Sequence, residues 1–526
     1  MSNLQIAPNA AVLAALSEIL PRDSVRRGGD QAEVETSLER LPSVVDTVVR
    51  NGYALAGIVT EWEDAGWLGR YAFYCSSCPG FVHVFVHGKP GDALPSISPY
   101  VFSADWHERE IEDLFEIPFE GHPLLGDFAL HNEDWPEGVA PMRPDYDRDE
   151  PKPPRSGRVW RPQRFVKAPG AFTMSIGPIY SGISESAQFR LESEGEQILY
   201  ATPRLFYKYR GLEKIAEGQD VEDVLLLAER LNGTSAVGHA AAFAQAAEAI
   251  AMVTPPPRAA ALRLVFAELE RLRSHLCTIE ELVESTGLQV PTAMLSSLVE
   301  DLLRLSGRVA GHRYLFGLVR PGGLTLDIGD AETADIVKTS REATARLSRI
   351  VDQLAYDNGF LDRVEQVGTL QVPKALHHGV VGPVGRASGL SKDLRVIHPY
   401  GAYRDCEVRI ALADEGDAFA RFRVLAGEAV ESQHLMEQAL SSLPAGPVLA
   451  PWRPRADAAL GWSEAPLGAA FHWLRLSPTG KVLRWRIMPP SFTNWPALAT
   501  VVEGAAFQDF PIILASFGLS VAESDR

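Results

Sequence analysis

Cysteine is scarce, four in 526 residues, at positions 75, 78, 277 and 406. They show no framework spacing, which excludes a disulfide scaffold and points to a reducing compartment. Basic residues are also in deficit. Lys and Arg number 50 against 68 Asp and Glu, a formal net charge of -18. That balance argues against nucleic acid as a partner, since such binders show a basic excess or stripe. Otherwise it serves solubility. No run of ~18 uncharged apolar residues occurs, so no membrane-spanning helix is expected; stretches such as Leu225-Leu-Leu-Ala228 soon meet charge. The opening Met1-Ser-Asn-Leu-Gln-Ile-Ala-Pro8 lacks the basic and apolar regions of a signal peptide. A Walker A loop and a G-x-G-x-x-G turn are missing, and Gly382-Pro-Val-Gly385 is too short to cradle a phosphate. The expectation is a cytoplasmic chain that reaches a membrane only through other subunits.

What remains is the composition of a folded protein, 46% hydrophobic and 22% charged, long enough for two or three domains. Prolines packed among charges in Pro141-Met-Arg-Pro-Asp-Tyr-Asp-Arg-Asp-Glu-Pro-Lys-Pro-Pro-Arg155 predict an extended, solvated linker over 141–165. It divides an N-terminal domain, 1–140, from a second, 166–526. The first reads as α+β. Tyr53 to Val59 and Phe81 to His87 are strand-like, the latter alternating Val82, Val84 and Val86 with Phe81, His83, Phe85 and His87. A short helix after Ser103 carries Trp106, Ile111, Leu114 and Phe115 and is ended by Pro118.

The second segment opens with strands around Gly177 to Tyr200 and then becomes mainly helical. After Pro255-Pro-Pro257, Leu262, Val265, Leu269, Leu272, Leu276, Ile279 and Val283 keep the rhythm of one buried helical face until Gly287. Asp330 to Asp357 and Asp417 to Leu443 predict further long helices. Strand-like runs flanking Ser477-Pro-Thr-Gly480 predict a hairpin.

Three motifs carry possible chemistry. His107-Glu-Arg-Glu-Ile111 resembles the zinc motif H-E-x-x-H but has Ile at the second ligand position, so a charged helix with one apolar face is the better reading. Cys75-Ser-Ser-Cys78 has no second pair to complete four thiolates, which favours two buried or partly buried cysteines over a redox or iron–sulfur site. Glu268, Arg271 and His275, at i, i+3 and i+7, could tune one another's protonation; a helix-edge salt bridge explains the spacing equally well.

Longer stretches resemble a known family. Trp106-His-Glu-Arg-Glu-Ile-Glu-Asp-Leu-Phe-Glu-Ile-Pro-Phe-Glu-Gly-His-Pro123, Asp134-Trp-Pro-Glu137 and Met142-Arg-Pro-Asp-Tyr146 resemble the small peripheral-arm subunit of respiratory complex I. The family's paired arginines after Gly121-His-Pro123 are replaced here by Leu124-Leu-Gly126. Arg204-Leu-Phe-Tyr-Lys-Tyr-Arg-Gly-Leu-Glu-Lys214, Glu268-Leu-Glu-Arg-Leu-Arg-Ser-His-Leu276, Arg386 to Arg395 with His398-Pro-Tyr400, and Asp509 to Arg526 are similar to the large peripheral-arm subunit, itself related to the large subunit of [NiFe] hydrogenases. Both subunits in one chain most resemble the fused large subunits of formate hydrogenlyase-type, energy-converting membrane-bound hydrogenases. The resemblance implies an α+β N-terminal domain followed by a mainly α domain with peripheral β-strands.

It also implies where chemistry has changed. The relatives' two nickel-binding C-x-x-C pairs fall on Asn232-Gly-Thr-Ser235 and Ser520-Val-Ala-Glu523. None of Asn232, Ser235, Ser520 or Glu523 replaces a soft thiolate. No metal site is therefore expected, and no cofactor bound by this chain. The family's quinone-facing histidine falls near Ser186, with Tyr180 close by, and its tyrosine partner falls on Gly233. Arg210 and His275 match residues that lie, in the relatives, near an iron–sulfur cluster of a neighbouring subunit.

The resemblance thus implies an iron–sulfur small subunit, integral membrane antiporter-like subunits and a quinone or another acceptor as partners. The chain would lie on the inner face of the cell membrane. Arg210, Glu268, His275 and Glu523 are the candidate catalytic residues. Glu523 would carry protons if burial raises its pKa. Tyr180, Ser186, Asn232, Gly233, Ser235 and Ser520 are the candidate cofactor-binding residues. A non-catalytic scaffold that keeps the ancestral interfaces is the alternative.

Overall fold

The computed structural model describes residues 10–21, 24–28, 31–150, 156–179 and 185–526. Two compact units emerge. The first takes Met1–Arg164, Arg204–Tyr209 and His377–Gly379; the second takes Phe165–Pro203, Arg210–Leu376 and Val380–Arg526.

In the first unit, helix α1 (Ala10–Ile19) precedes strands β1 (Val25–Gly28) and β2 (Gln31–Thr36), then α2 (Leu41–Arg50). Strands β3 (Tyr53–Glu63), β4 (Gly66–Cys75) and β5 (Phe81–Gly88) complete a sheet of order β1-β2-β5-β4-β3. Within this sheet β2 and β5 pair in parallel and the other neighbours antiparallel. Leu41, Val44, Val45 and Val48 of α2 are buried, and both faces of β5 are covered, for Phe81, Val82, His83, Val84 and Val86 are all buried. β6 (Leu94–Pro95) and β7 (Phe119–Glu120) make a short parallel pair around α3 (Asp105–Phe115).

Helix α3 stops at Glu116, whose left-handed φ of 57° precedes Pro118. The sequence reads it as a charged helix with one apolar face, and the charged residues Asp105, His107, Glu108 and Glu110 are buried along with that face. Glu108 accepts from Ser96 Oγ (2.5 Å) and the Ile97 N–H (2.7 Å), and burial pushes its carboxyl up to about 7 against those bonds. Of the C-x-x-C pair, Cys75 is buried but Cys78 is exposed. The stretch read as a linker begins packed, with Met142 buried and its N–H donating to Leu114 O (2.9 Å).

The second unit opens with the sheet β10-β9-β8, from β8 (Phe172–Ile176), β9 (Gln188–Glu194) and β10 (Gln197–Arg204). Helices α4 (Leu212–Ala216), α5 (Val221–Ala228) and α6 (Ala236–Ala251) lead to α7 (Pro257–Ser285), which begins on a proline where the lost N–H costs nothing. α7 packs against α8 (Gln289–Ala310) and α14 (Ala418–Ser441), and α14 against α9 (Asp330–Leu354). Between them lie the two-residue strands β11 (Val319–Arg320) and β12 (Gly323–Leu324), and the short helices α10 (Asn358–Val364), α11 (Val372–His378), α12 (Gly382–Ala387) and α13 (Leu394–Ile397). An antiparallel sheet of β13 (Ala458–Ala465), β14 (Gly468–Leu476) and β15 (Val482–Met488) follows, then α15 (Pro490–Val502), α16 (Phe510–Phe517) and α17 (Val521–Ser524). Among the described residues no helix is long and apolar enough to cross a membrane.

One close approach fixes the heart of this unit. Helix α6 is built largely from alanine, and its small side chains let β13 lie almost on its backbone. A Cβ at Gly461 of β13 would meet Ala242 O at 2.0 Å and Ala246 N at 2.7 Å. Gly461→Ala is therefore expected to destabilise the chain by ~1–3 kcal/mol, the range for overpacking. Gly307→Ala, in α8 with nothing within 4 Å of the added methyl, should gain ~0.5–1 kcal/mol from helix propensity. Paired denaturant melts would show the two shifts in opposite directions.

Candidate functional site

Asn232 and Glu523 stand 291 positions apart yet meet: Asn232 Nδ2 donates to Glu523 Oε1 at 3.3 Å. The loop before α6 is shaped by the Asn232 side chain, whose Oδ1 accepts from the N–H groups of Thr234 (3.1 Å) and Ser235 (2.7 Å). On the other side, Ser520 caps α17 by accepting from the Glu523 N–H (3.1 Å). Arg210 joins the two segments, its guanidinium donating to the carbonyls of Arg230 (2.8 Å), Leu231 (2.9 Å), Ala522 (2.5 Å) and Asp525 (3.2 Å). Asn232, Ser235, Ser520 and Glu523 are all buried.

Five neighbours, His239, Ser491, His472, Trp485 and Glu185, were not singled out in the sequence. Glu523 Oε1 also contacts His239 Nε2 (2.8 Å), and Glu523 Oε2 accepts from the Ser491 N–H (3.0 Å). His239 Nδ1 lies 3.0 Å from His472 Nε2, and Trp485 Nε1 donates to His472 Nδ1 at 3.0 Å. Burial, with His239 alongside, pushes His472 well below the usual imidazole value. Glu185 takes a hydrogen bond from Ser520 Oγ (3.0 Å) and another from the Val521 N–H. His239 sits four residues beyond Ser235, so helical spacing could have found it. His472 and Trp485 lie on strands and carry no such mark.

At Gly233 the structure places an aromatic ring. A Cβ there would stand 3.4 Å from the ring of Tyr314. Arg273 lies over that ring, 4.9 Å from its centroid, and donates to Gly233 O (2.8 Å). Ser186 is partly buried, and Tyr180 lies outside the described residues.

Glu268, Arg271 and His275 are buried rather than set at a helix edge, and they separate into two ion pairs of one network. Glu268 accepts from Arg271 Nε (3.1 Å), Arg395 (3.1 Å), Tyr403 Oη (2.6 Å) and Ser432 Oγ (2.7 Å). Burial alone would raise its pKa; Arg271 and Arg395 outweigh that and hold it at about 2. His275 Nε2 lies 2.9 Å from Glu428, which Arg386 also holds (2.5 Å). Arg386 continues to Glu464 (2.8 Å), and Arg395 to Asp393 (2.7 Å). Burial pushes His275 down, Glu428 partly opposing it.

The donor set at 232, 235, 520 and 523 does not fit a nickel–iron centre. An amide, two hydroxyls and a carboxylate are hard or neutral ligands, and Asn232 Oδ1 is turned to its own backbone.

Similarity to known proteins reaches into both units. The family described as "Respiratory-chain NADH dehydrogenase, 49 Kd subunit" matches residues 286–458 and 451–526, and the 30 Kd subunit family matches 58–152. An NADH-quinone oxidoreductase subunit of Dehalococcoides mccartyi is 30% identical over 375 residues, covering 68% of this chain and 98% of that protein. The chain belongs to the 49 Kd subunit family. Fused relatives match further. Hydrogenase-4 component G of Escherichia coli is 29% identical across 98% of this chain and 92% of its own length, and formate hydrogenlyase subunit 5 is 28% identical across 98% and 93%. A fused NADH-quinone oxidoreductase subunit of Bdellovibrio bacteriovorus is 26% identical across 83% of this chain and 84% of its own length. The family resemblance read from the motifs is thereby shown, and the mixed helix-and-sheet composition with it.

Glu268→Gln tests the network. Removing the charge leaves Arg271 and Arg395 underpaired in the interior, a loss of ~3–5 kcal/mol at neutral pH. Because the folded-state pKa of Glu268 is depressed from 4.5 to about 2, its contribution is complete above 4.5 and disappears as pH falls towards 2. Urea melts from pH 7 down to 2 should therefore show the gap between wild type and variant narrowing only below about pH 5.

Proposed function

We propose that this chain is a peripheral-arm subunit of a membrane-bound oxidoreductase related to energy-converting hydrogenases and complex I. It docks an iron–sulfur small subunit and rests on antiporter-like membrane subunits at the inner face of the cell membrane. In that complex it couples electron transfer, to a quinone or another acceptor, with ion translocation. The observation that carries the reading is the match to fused hydrogenase subunits over 98% of the chain, which takes in both the N-terminal segment and the altered ligand positions.

The domain order that goes with this reading is an α+β domain over 1–140, a linker over 141–165 and a hydrogenase large-subunit-like domain over 166–526. No [NiFe] chemistry is assigned to the chain, because its residues do not suit the metals. Arg210, Glu268, His275 and Glu523 are the groups through which it would act. Arg210 and Glu268 act by holding other groups in place, whereas Glu523 offers a carboxylate where relatives have a thiolate. Asn232, Gly233, Ser235 and Ser520, with Ser186 and Tyr180, are the positions proposed to face an acceptor.

The test is copurification. An N-terminally tagged chain, isolated from gently solubilised native membranes, is expected to bring down an iron–sulfur subunit and polytopic membrane subunits, identified by mass spectrometry. Recovery of the chain alone from the soluble fraction would overturn the membrane-complex reading.

A further inference from the structure

The buried chain Trp485–His472–His239–Glu523 has a direction that its chemistry dictates. An indole nitrogen can only donate. Trp485 Nε1, 3.0 Å from His472 Nδ1, therefore obliges that nitrogen to accept. In a neutral ring the other nitrogen then carries the proton, so His472 Nε2–H donates to His239 Nδ1, 3.0 Å away. The same step repeats: His239 Nδ1 accepts, so its proton lies on Nε2 and points at Glu523 Oε1, 2.8 Å away. His472 is completely buried, with a relative exposure of 0%, which disfavours a charged ring, and His239 is buried as fully.

We infer that Trp485 is a positioning residue that fixes, through His472, the tautomer of His239, making His239 a permanent donor to Glu523 rather than a base. The chain cannot conduct protons. Suppose Glu523 took the Nε2 proton of His239, and His239 drew the Nε2 proton of His472 onto its Nδ1. His472 would be left without a ring proton, since Trp485 lends only a hydrogen bond. An imidazolate in a dry interior is too costly to form. An added proton fares no better, because Nδ1 of each ring already accepts a hydrogen bond and Nε2 of each already carries a proton.

Glu523 consequently faces donors at both oxygens, His239 Nε2–H and Asn232 Nδ2–H at Oε1 and the Ser491 N–H at Oε2. Any proton it exchanges passes by a route other than His239. Ser235, whose N–H bonds to Asn232 Oδ1, carries a fully buried hydroxyl with no partner among the described residues. This inference rests on the proposed reading of the 232/523 cluster as the place where the chain acts. It is tested separately, because tautomers can be read on the isolated chain whether or not partners copurify.

The experiment is long-range ¹H–¹⁵N correlation NMR on the full chain labelled with ¹⁵N-histidine, the two rings being assigned by the loss of their signals in His239→Gln and His472→Gln. Wild type is expected to show both rings neutral, with pyrrole-type Nε2 and pyridine-type Nδ1. Trp485→Phe removes the fixed donor, so the single-tautomer signature at His472 should be lost. His472→Gln keeps an amide donor for His239 and should preserve its Nε2–H form, whereas His472→Leu should release it. That second pair decides the matter if Trp485→Phe fails to fold. An imidazolium or an Nδ1–H tautomer at His239 in wild type would overturn the inference. So would a His239 signal indifferent to leucine at 472.

Discussion

Charge taken out of water is the constraint on which the second unit depends. Helices α7 and α14 cross with Glu268, Arg271 and His275 on one and Glu428 on the other, all buried. An isolated carboxylate in such a place would simply take up a proton. Here Glu268, Asp393, Glu428 and Glu464 share three guanidiniums, those of Arg271, Arg386 and Arg395, and each guanidinium touches at least one carboxylate or its backbone. Four carboxylates against three cations leave a surplus. It falls on Glu464, which burial and then Asp393 push upward. The network is poor evidence for extra stability, because desolvation offsets much of the attraction. Its effect is on uniqueness: no helix in it can slip by a residue without stranding a charge.

The same interior explains why α6 has so little side chain. Its alanines and Gly238 allow the sheet to come within contact of the helix backbone, Ala465 Cβ being 3.0 Å from where a Gly238 Cβ would lie. That closeness brings His239 on α6 to His472 on β14, and it lets Glu270 of α7 accept from the Val237 and Gly238 N–H groups at the start of α6 (2.8 and 2.9 Å). Burial drives the Glu270 carboxyl up to about 7 in spite of those bonds and of Arg273. Small residues, normally read as neutral filler, are here the condition for a polar cluster to assemble.

Legibility in the sequence followed periodicity. The stripe from Leu262 to Val283 marks α7 because 3.6-residue spacing is a local property, and α7 indeed spans Pro257–Ser285. The hairpin of β14 and β15 was visible because strand-like runs flank the turn residues Ser477-Pro-Thr-Gly480. Burial of the charged side of α3 was not, since Glu108 is satisfied by Ser96 and Ile97, a pairing that only tertiary structure creates. Likewise the meeting of Asn232 with Glu523 was implied by family resemblance alone. Behind His239, His472 and Trp485 come from strands whose composition carries no signal, His472 being one polar residue in a run of buried ones.

A polar cluster in an interior can satisfy its groups in two ways, by opening to water or by closing on itself. Opening would leave the positions at 232, 235, 520 and 523 exposed. They are buried instead, and among the described residues only the Ser235 hydroxyl of the four side chains is left without a partner. Asn232 is satisfied because one amide both donates to Glu523 and accepts from its own loop. Glu523 is satisfied because His239, held by His472 and Trp485, is a donor on the side it presents. Replacing any one of these residues alone would strand the polar group that it serves. The amide, the carboxylate and the imidazole pair are therefore best understood as one unit, in which the identity of each residue is set by the hydrogen bond the next one needs.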